Sequence, residues 1–550
     1  MPSTDDTPQD LVGCLHQNAN NLADKFCLHV LGDDGGTVNS ITYSELWLKA
    51  CGFAVAFETA GVEPGDVVLI FLNHHPDLAA CYFGAMQAGA IPSFMPRPSV
   101  KQHPGRYWPA HRTLFRRICP RAIVTDGAQT GQMKRYGLEG ETACFIDVNA
   151  VEEADEPFSP KPVDPDQIAL LQHSSGTTGL KKGMALTHRA ILNQVRAYAG
   201  AINLEDDDTI VSWLPLYHDM GLITSLILPL VLGRTTVLMD PFQWTVRPGM
   251  LFEAMEKYDG RLVWMPNFAF EHLCRTAGRG EPAADLSRVR AFINCSEPCK
   301  LETFARFAKT FSGWGVRPDQ LQVCYALAEN VFAVAQTPIG REPLGAPVPP
   351  GEHSNVRSVA SVGRLIPGVE LCILDQDGRQ LCEGQTGEIA IRGDSLFKEY
   401  FLLPDLTSER IINGYFHTRD LGFLINGELF ILGRGDDLII VNGRNYYAHD
   451  LEAVVNEVEG LKPGRCAAFG LFNENLGSEE VVAVAERAAN TEATDRELKQ
   501  TIKENILDEA DLVIRDAHIV DRNWLVKTSS GKISREGNKT KYLLETGTSG

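Results

Sequence analysis

Short apolar runs alternate with helix-spaced apolar positions through the first four hundred residues. Val67–Leu72, Ala122–Thr125, Ile168–Leu171, Thr209–Trp213, Thr235–Met239 and Arg261–Met265 read as buried strands. Asp77–Ala88 has a helical pattern that stops at Gly89, and Arg189–Ala199 carries apolar residues at helical spacing. Strands alternating with helices predict an α/β body with layered, largely parallel sheets. Glu370–Leu374 and Gly387–Arg392 are separated by a turn-like Asp375–Gly378, which predicts an antiparallel β element appended to that body. Glu152–Asp166 (acidic, Pro-rich) and Ile339–Ser354 (Gly- and Pro-rich) read as loops. From Leu438 the pattern becomes that of a smaller α+β unit, with Leu451–Val458 helical and Cys466–Phe472 and Val481–Ala485 as strands. The resulting division is an N-terminal domain over 1–433, a junction at 434–437, a C-terminal domain over 438–545 and a tail at 546–550.

Composition narrows the function classes. A chain of 550 residues is too long for one core. Its 44% hydrophobic and 22% charged content is that of a soluble globular protein. A formal charge of −20 argues against a general nucleic-acid partner but leaves a small basic site for an anionic ligand open. Thirteen cysteines without a C-x-x-C pair fit reduced thiols better than a disulfide frame or zinc site. The acidic, polar start MPSTDDTPQD lacks the features of a signal peptide, and no apolar run is long enough to span a bilayer. The expectation is a cytoplasmic protein without membrane insertion; its oligomeric state is not readable.

The candidate chemistry starts at His173–His188, HSSGTTGLKKGMALTH. Between a strand-like run and a helical pattern it holds Ser174, Ser175, Gly176, Thr177, Thr178, Gly179, Lys181 and Lys182. Glycines let backbone N–H groups approach phosphate oxygens, and hydroxyls and lysines add donors and charge. It is neither a Walker loop nor a dinucleotide fingerprint; a polar surface loop is the competing reading. Further along lie SWLPLYHDMGL with His218, WMPNFAFEHL with Trp264, Asn267 and Phe268, NCSEP over Asn294–Pro298, YALAE over Tyr325–Glu329, FHTRDLGF with Asp420, GRGDDLIIVNGRN with Arg434, Asp436 and Gly443, and KTSSGKISR with Lys532. Taken singly, His218 reads as a packed helix residue, Tyr325 as core, Asp436 as a solvated turn and Lys532 as a surface charge.

Together, and in this order, the segments resemble the adenylate-forming (acyl-activating) superfamily: acyl-CoA synthetases, fatty acyl-AMP ligases, peptide-synthetase adenylation domains and luciferases. One departure is Lys181, where that family usually has Pro. The resemblance implies a large multi-subdomain N-terminal domain and a small mobile C-terminal domain. It implies ATP and Mg2+, with the phosphates held by Ser174, Ser175, Gly176, Thr177, Thr178, Gly179 and Lys182. Asn294, Ser296, Glu297, Pro298, Tyr325 and Ala326 would line the adenine pocket, with the Tyr325 ring stacked on the base. Asp420 and Arg434 would hold the ribose, and Glu329 with Thr178 the metal. His218 would lie beside the substrate carboxylate and Lys532 would be the catalytic lysine, while Asp219 caps or braces the helix. Asp436 would be the hinge, Gly443 would line the thiol channel, and Trp264, Asn267 and Phe268 the acyl pocket.

The expected reaction is attack of a carboxylate, fatty or polyketide-like, on the ATP α-phosphate, followed by transfer to a phosphopantetheine thiol. The acceptor is CoA or an acyl carrier protein. The phosphate loop resembles that of a CoA ligase, and residues 330–360 lack a clear match to the insertion of the AMP-ligase branch, which leans slightly to CoA. A luciferase-like oxidoreductase and a non-catalytic acyl or nucleotide sensor are the alternatives from other classes. Retention of Glu329, Asp420, Arg434 and Lys532 argues against the sensor.

Overall fold

The computed structural model describes residues 8–33, 35–98, 104–138, 140, 144–154, 163–173, 182–277, 284–349, 358–442, 444–473, 476, 478–528 and 532–547, with backbone alone at 104–106, 109 and 110. Its largest sheet has nine strands, in the order Arg364–Leu365, Ala333–Gln336, Leu321–Ala326, Ala291–Cys295, Gly260–Met265, Thr209–Ser212, Thr235–Leu238, Phe26–Leu31 and Thr37–Thr42. The six strands from Leu321–Ala326 to Phe26–Leu31 are mutually parallel, and antiparallel pairs finish both edges. A second sheet, Ile91–Phe94, Val67–Ile70, Ala122–Thr125 and Cys144–Asp147, is wholly parallel. Parallel strands covered on both faces need apolar residues at every position, and Val67–Ile70 is buried throughout. Helix Leu78–Gln87 is likewise buried on all sides. It lies so close to helix Tyr43–Thr59 that a Cβ on Gly84 would come within 2.5 Å of the Phe53 Cβ.

The antiparallel element is present. Val369–Leu374, Gly387–Gly393 and Tyr415–Ile425 pair in succession, and Tyr415–Ile425 also pairs with Glu428–Arg434. The C-terminal part builds on Leu461–Asn473, Ser478–Arg487 and Asp516–Val520. Alternate residues of its central strands face two separate apolar clusters. Cys466, Ala468, Val481 and Ala483 pack with Leu451, Val455, Leu498 and Ile502. Phe469, Val482 and Val484 pack with Leu525 and Tyr542. This is the two-sided core expected of a strand period of two.

One expectation is corrected. Ile168–His173 and Gly183–Thr187 are antiparallel partners, so the Gly-rich segment joins two strands, and helix His188–Ala201 begins only after the second. The run Gly183–Thr187, which falls inside the segment read as a loop, has five residues, four of them buried, and it is its pairing with Ile168–His173 that makes it a strand. All thirteen cysteines are free thiols. Among the described residues no helix is long and apolar enough to cross a membrane.

Candidate active site

The site is assembled where the parallel sheet, the antiparallel element and the C-terminal part meet. Tyr325 lies at the C-terminal end of strand Leu321–Ala326, the end at which open α/β sheets present ligand sites. Its hydroxyl donates to Asp420 Oδ2 at 2.5 Å. Asp420 is 6% exposed, and its backbone N–H donates to Thr418 Oγ1. Burial pushes the Asp420 carboxyl upward, against the pull of Arg434 and of the Tyr325 hydroxyl.

Local turn chemistry brings Arg434 to this carboxylate. Asn426 and Gly427 both hold positive φ, +53° and +75°, and link the paired residues Ile425 and Glu428, as a two-residue hairpin turn requires. A register shift between Leu421 and Gly422 then moves the pairing by one residue. Asp420 therefore stands opposite Arg434 instead of Gly433, and the Arg434 Nε lies 3.5 Å from Asp420 Oδ1.

Glu329 lies in the short helical turn after this strand and accepts from the Tyr400 hydroxyl at 2.7 Å through Oε1. Its other carboxylate oxygen has no hydrogen bond or ion pair to the described residues, and its backbone carbonyl accepts from Phe397 N–H. Lys182 Nζ sits 5.5 Å above the Tyr400 ring. Burial and the charge of Arg410 lower the Lys182 ammonium from its usual value, while Glu329 acts in the opposite direction. No group of three or more His, Cys, Asp or Glu among the described residues forms a metal cage. A single hard carboxylate oxygen fits Mg2+, which keeps water and phosphate as its other ligands.

Asn294 is wholly buried in strand Ala291–Cys295 and donates to Asn267 Oδ1 at 2.9 Å. Ser296 follows in a left-handed conformation, φ +71°. Glu297 accepts from Phe268 N–H at 3.0 Å, which ties this segment to helix Asn267–Thr276; Pro298 is exposed. Lys532 joins the site from the C-terminal part. Its loop is closed by Thr528 N–H to the Lys532 carbonyl and Ser534 N–H to Val526, and its Nζ donates to the Ser296 carbonyl at 3.0 Å. The two residues are 236 positions apart.

His218, not Asp219, is the N-cap of helix Asp219–Leu222, so of the two roles expected of Asp219, capping or bracing, capping is excluded. The Asp219 carboxylate accepts from the adjacent Met220 N–H. Burial raises its proton affinity, countered in part by that N–H and by the Lys532 charge. Trp264 is also corrected. It is 1% exposed, and its indole N–H donates to the Tyr198 hydroxyl on helix His188–Ala201, which makes it core. Trp213 and Trp244, both buried, stack at 3.7 Å, and Phe268 stands edge-on to both and is 49% exposed.

Ser174, Ser175, Gly176, Thr177, Thr178, Gly179 and Gly443 lie outside the described residues. Asp436 falls in the turn Gly435–Asp437 and pairs with Arg419 at 3.6 Å. The sequence reading assigned no role to Tyr400 or Arg419, nor to Arg535. Arg535 donates to both Glu452 carboxylate oxygens at 2.8 and 2.7 Å and to Asp437 at 2.6 Å, which anchors the segment that follows Lys532. Arg535 stands in the KTSSGKISR motif, whereas Tyr400 has no local signal.

Residues 15–401 match the family described as AMP-binding enzyme. The chain is 30% identical to the long-chain-fatty-acid–AMP ligase FadD26 of Mycobacterium marinum, over 98% of both chains. It is also 30% identical to the medium-chain-fatty-acid–[acyl-carrier-protein] ligase JamA of Moorena producens, over 92% of this chain and 90% of that one. Among solved structures, one from work on fatty acyl-adenylate ligases of E. coli and L. pneumophila superimposes with a TM-score of 0.88 at 24% identity, over 98% of each chain.

Proposed function

This chain belongs to the AMP-binding enzyme family and is an adenylate-forming ligase; from that premise we propose that it activates a fatty or polyketide-like acid as acyl-AMP and loads it onto the phosphopantetheine thiol of an acyl carrier protein. The observation that carries the reading is the contact of Lys532 with Ser296, which brings a cation from the C-terminal part to the nucleotide side of the site. The FadD26- and JamA-like relatives support the carrier acceptor over the slight preference for CoA drawn from sequence.

In the first half-reaction an acid oxygen attacks the α-phosphorus and pyrophosphate leaves. Asp420, kept as a carboxylate by Arg434 and Tyr325, accepts from the ribose hydroxyls. The Tyr325 ring and the Asn294–Pro298 segment hold the base, and His218 with the exposed Phe268 ring receives the acid. Lys532 stabilises charge on the carboxylate and α-phosphate, an electrostatic role that depends on fixed placement. Glu329 would hold Mg2+ through the oxygen that Tyr400 does not engage, and the ion would supply charge neutralisation for the departing phosphates. In the second half-reaction the residues over 438–545 turn about Asp436, Lys532 withdraws and a thiol displaces AMP.

The test is a panel of carboxylic acids with ATP, scored separately for acyl-AMP, acyl-CoA and acyl-carrier product. Acyl-AMP with carrier loading is expected. Efficient acyl-CoA formation without carrier loading would overturn the acceptor assignment, and failure to form acyl-AMP from any acid would overturn the adenylation reading.

A further inference from the structure

Arg419 directly precedes Asp420 on strand Tyr415–Ile425 and has φ +62°. An L-residue other than Asn or Asp pays roughly 1–2 kcal/mol for the left-handed region and persists there where surrounding contacts hold it. Its backbone N–H is fixed by Glu388 Oε1 at 2.9 Å. The guanidinium pairs with Asp436 at 3.6 Å, with side chains 52% and 69% exposed. An ion pair that open contributes little and is readily exchanged.

The surroundings of that guanidinium are cationic. The charge of Arg419 acts on both Lys182 and Tyr400, as does that of Arg410. Arg410 is itself held by the His417 and Thr418 carbonyls, at 2.9 and 3.1 Å. Lys182 Nζ lies 5.5 Å over the Tyr400 ring whose hydroxyl donates to Glu329, and Arg410 is tied to the two residues that precede Arg419; Asp436 is the only acid paired to any of these three cations among the described residues. A planar guanidinium suits phosphate oxygens, and it gains more from a multiply charged anion than from one exposed carboxylate.

We propose that Arg419 binds the leaving pyrophosphate, and that Asp436 is the partner it exchanges for that anion. The idea rests on the adenylation reading and deepens it by linking the departing group to the hinge residue. Because Asp436 and pyrophosphate compete for one guanidinium, removing Arg419 should weaken pyrophosphate binding and removing the Asp436 charge should strengthen it.

The experiment uses the full chain, assaying pyrophosphorolysis of synthetic acyl-AMP with Arg419→Gly, Arg419→Lys and Asp436→Asn. Arg419→Gly should raise the KM for pyrophosphate about tenfold, the effect of one charge-assisted contact, and leave the KM for acyl-AMP unchanged. Its Tm should not fall, since Gly accepts φ +62° without cost. Arg419→Lys should restore most of the affinity, and Asp436→Asn should lower the KM for pyrophosphate. An unchanged pyrophosphate KM in Arg419→Gly, or an equal rise in both KM values, would overturn the proposal. No pyrophosphate-dependent turnover by the parent chain with any acyl-AMP would overturn the adenylation reading, and this inference with it.

Discussion

Tyr325→Phe separates two roles of one side chain. The ring stays for the adenine base, while the hydroxyl that donates to buried Asp420 is lost. A hydrogen bond to a charged group contributes about 1.5–3 kcal/mol, equivalent to about ten- to a hundredfold in binding. Burial already holds the Asp420 carboxyl above its usual range, so the substitution moves it further up. A protonated Asp420 cannot accept from both ribose hydroxyls, and the ATP KM should therefore rise most at low pH. The deficit should shrink as pH climbs through the new value. Stability runs the other way. A folded-state carboxyl raised above its unfolded value stabilises the fold at low pH, and that contribution is lost as pH rises. The variant's Tm deficit should thus widen with pH while its KM deficit narrows. Calorimetry and initial rates from about pH 5.5 to about pH 9 would show the crossing trends. A KM ratio flat across that range, or a Tm deficit that shrinks with pH, would refute the account of Asp420.

Lys532→Ala should cut pyrophosphate release by about a hundredfold or more, since it deletes one preorganised charge. It should leave thioester formation from synthetic acyl-AMP near the parent rate, and near-normal pyrophosphate release in the mutant would sink the assignment. Asp450→Asn tests the carboxyl that burial pushes up to about 7 next to His449, at 3.4 Å; Lys300 acts against that rise. Because the carboxyl is raised, the parent should lose stability as pH rises from about 4 to about 7, by at most about 4 kcal/mol, and the variant should not. Equal pH slopes of Tm for parent and variant would count against a buried, protonatable Asp450.

The parts of this molecule that could be read from sequence are those whose cooperating residues are close along the chain. Val67–Ile70, Ala122–Thr125 and the helix from Leu78 follow from runs of apolar residues and a terminating Gly89. The hairpin after Asp420 follows from its Asn-Gly turn, but the register shift that sets Arg434 against Asp420 leaves no mark in the residues themselves. The order of motifs pointed to adenylate chemistry, yet the contacts that make a site of them span 95 residues from Tyr325 to Asp420, 71 from Glu329 to Tyr400 and 236 from Ser296 to Lys532. Such pairs are set by sheet order and by the docking of the C-terminal part, neither of which has a local pattern. The same reasoning accounts for Trp264 and Trp213. Both lie at the ends of apolar strands and both are buried, but their neighbours differ: Tyr198 meets Trp264 from the helix that covers the sheet, and Trp244 stacks on Trp213 with the exposed Phe268 edge-on to both. An aromatic residue at a strand end is therefore a candidate for the core and for the pocket alike, and the element packed across it decides which it becomes.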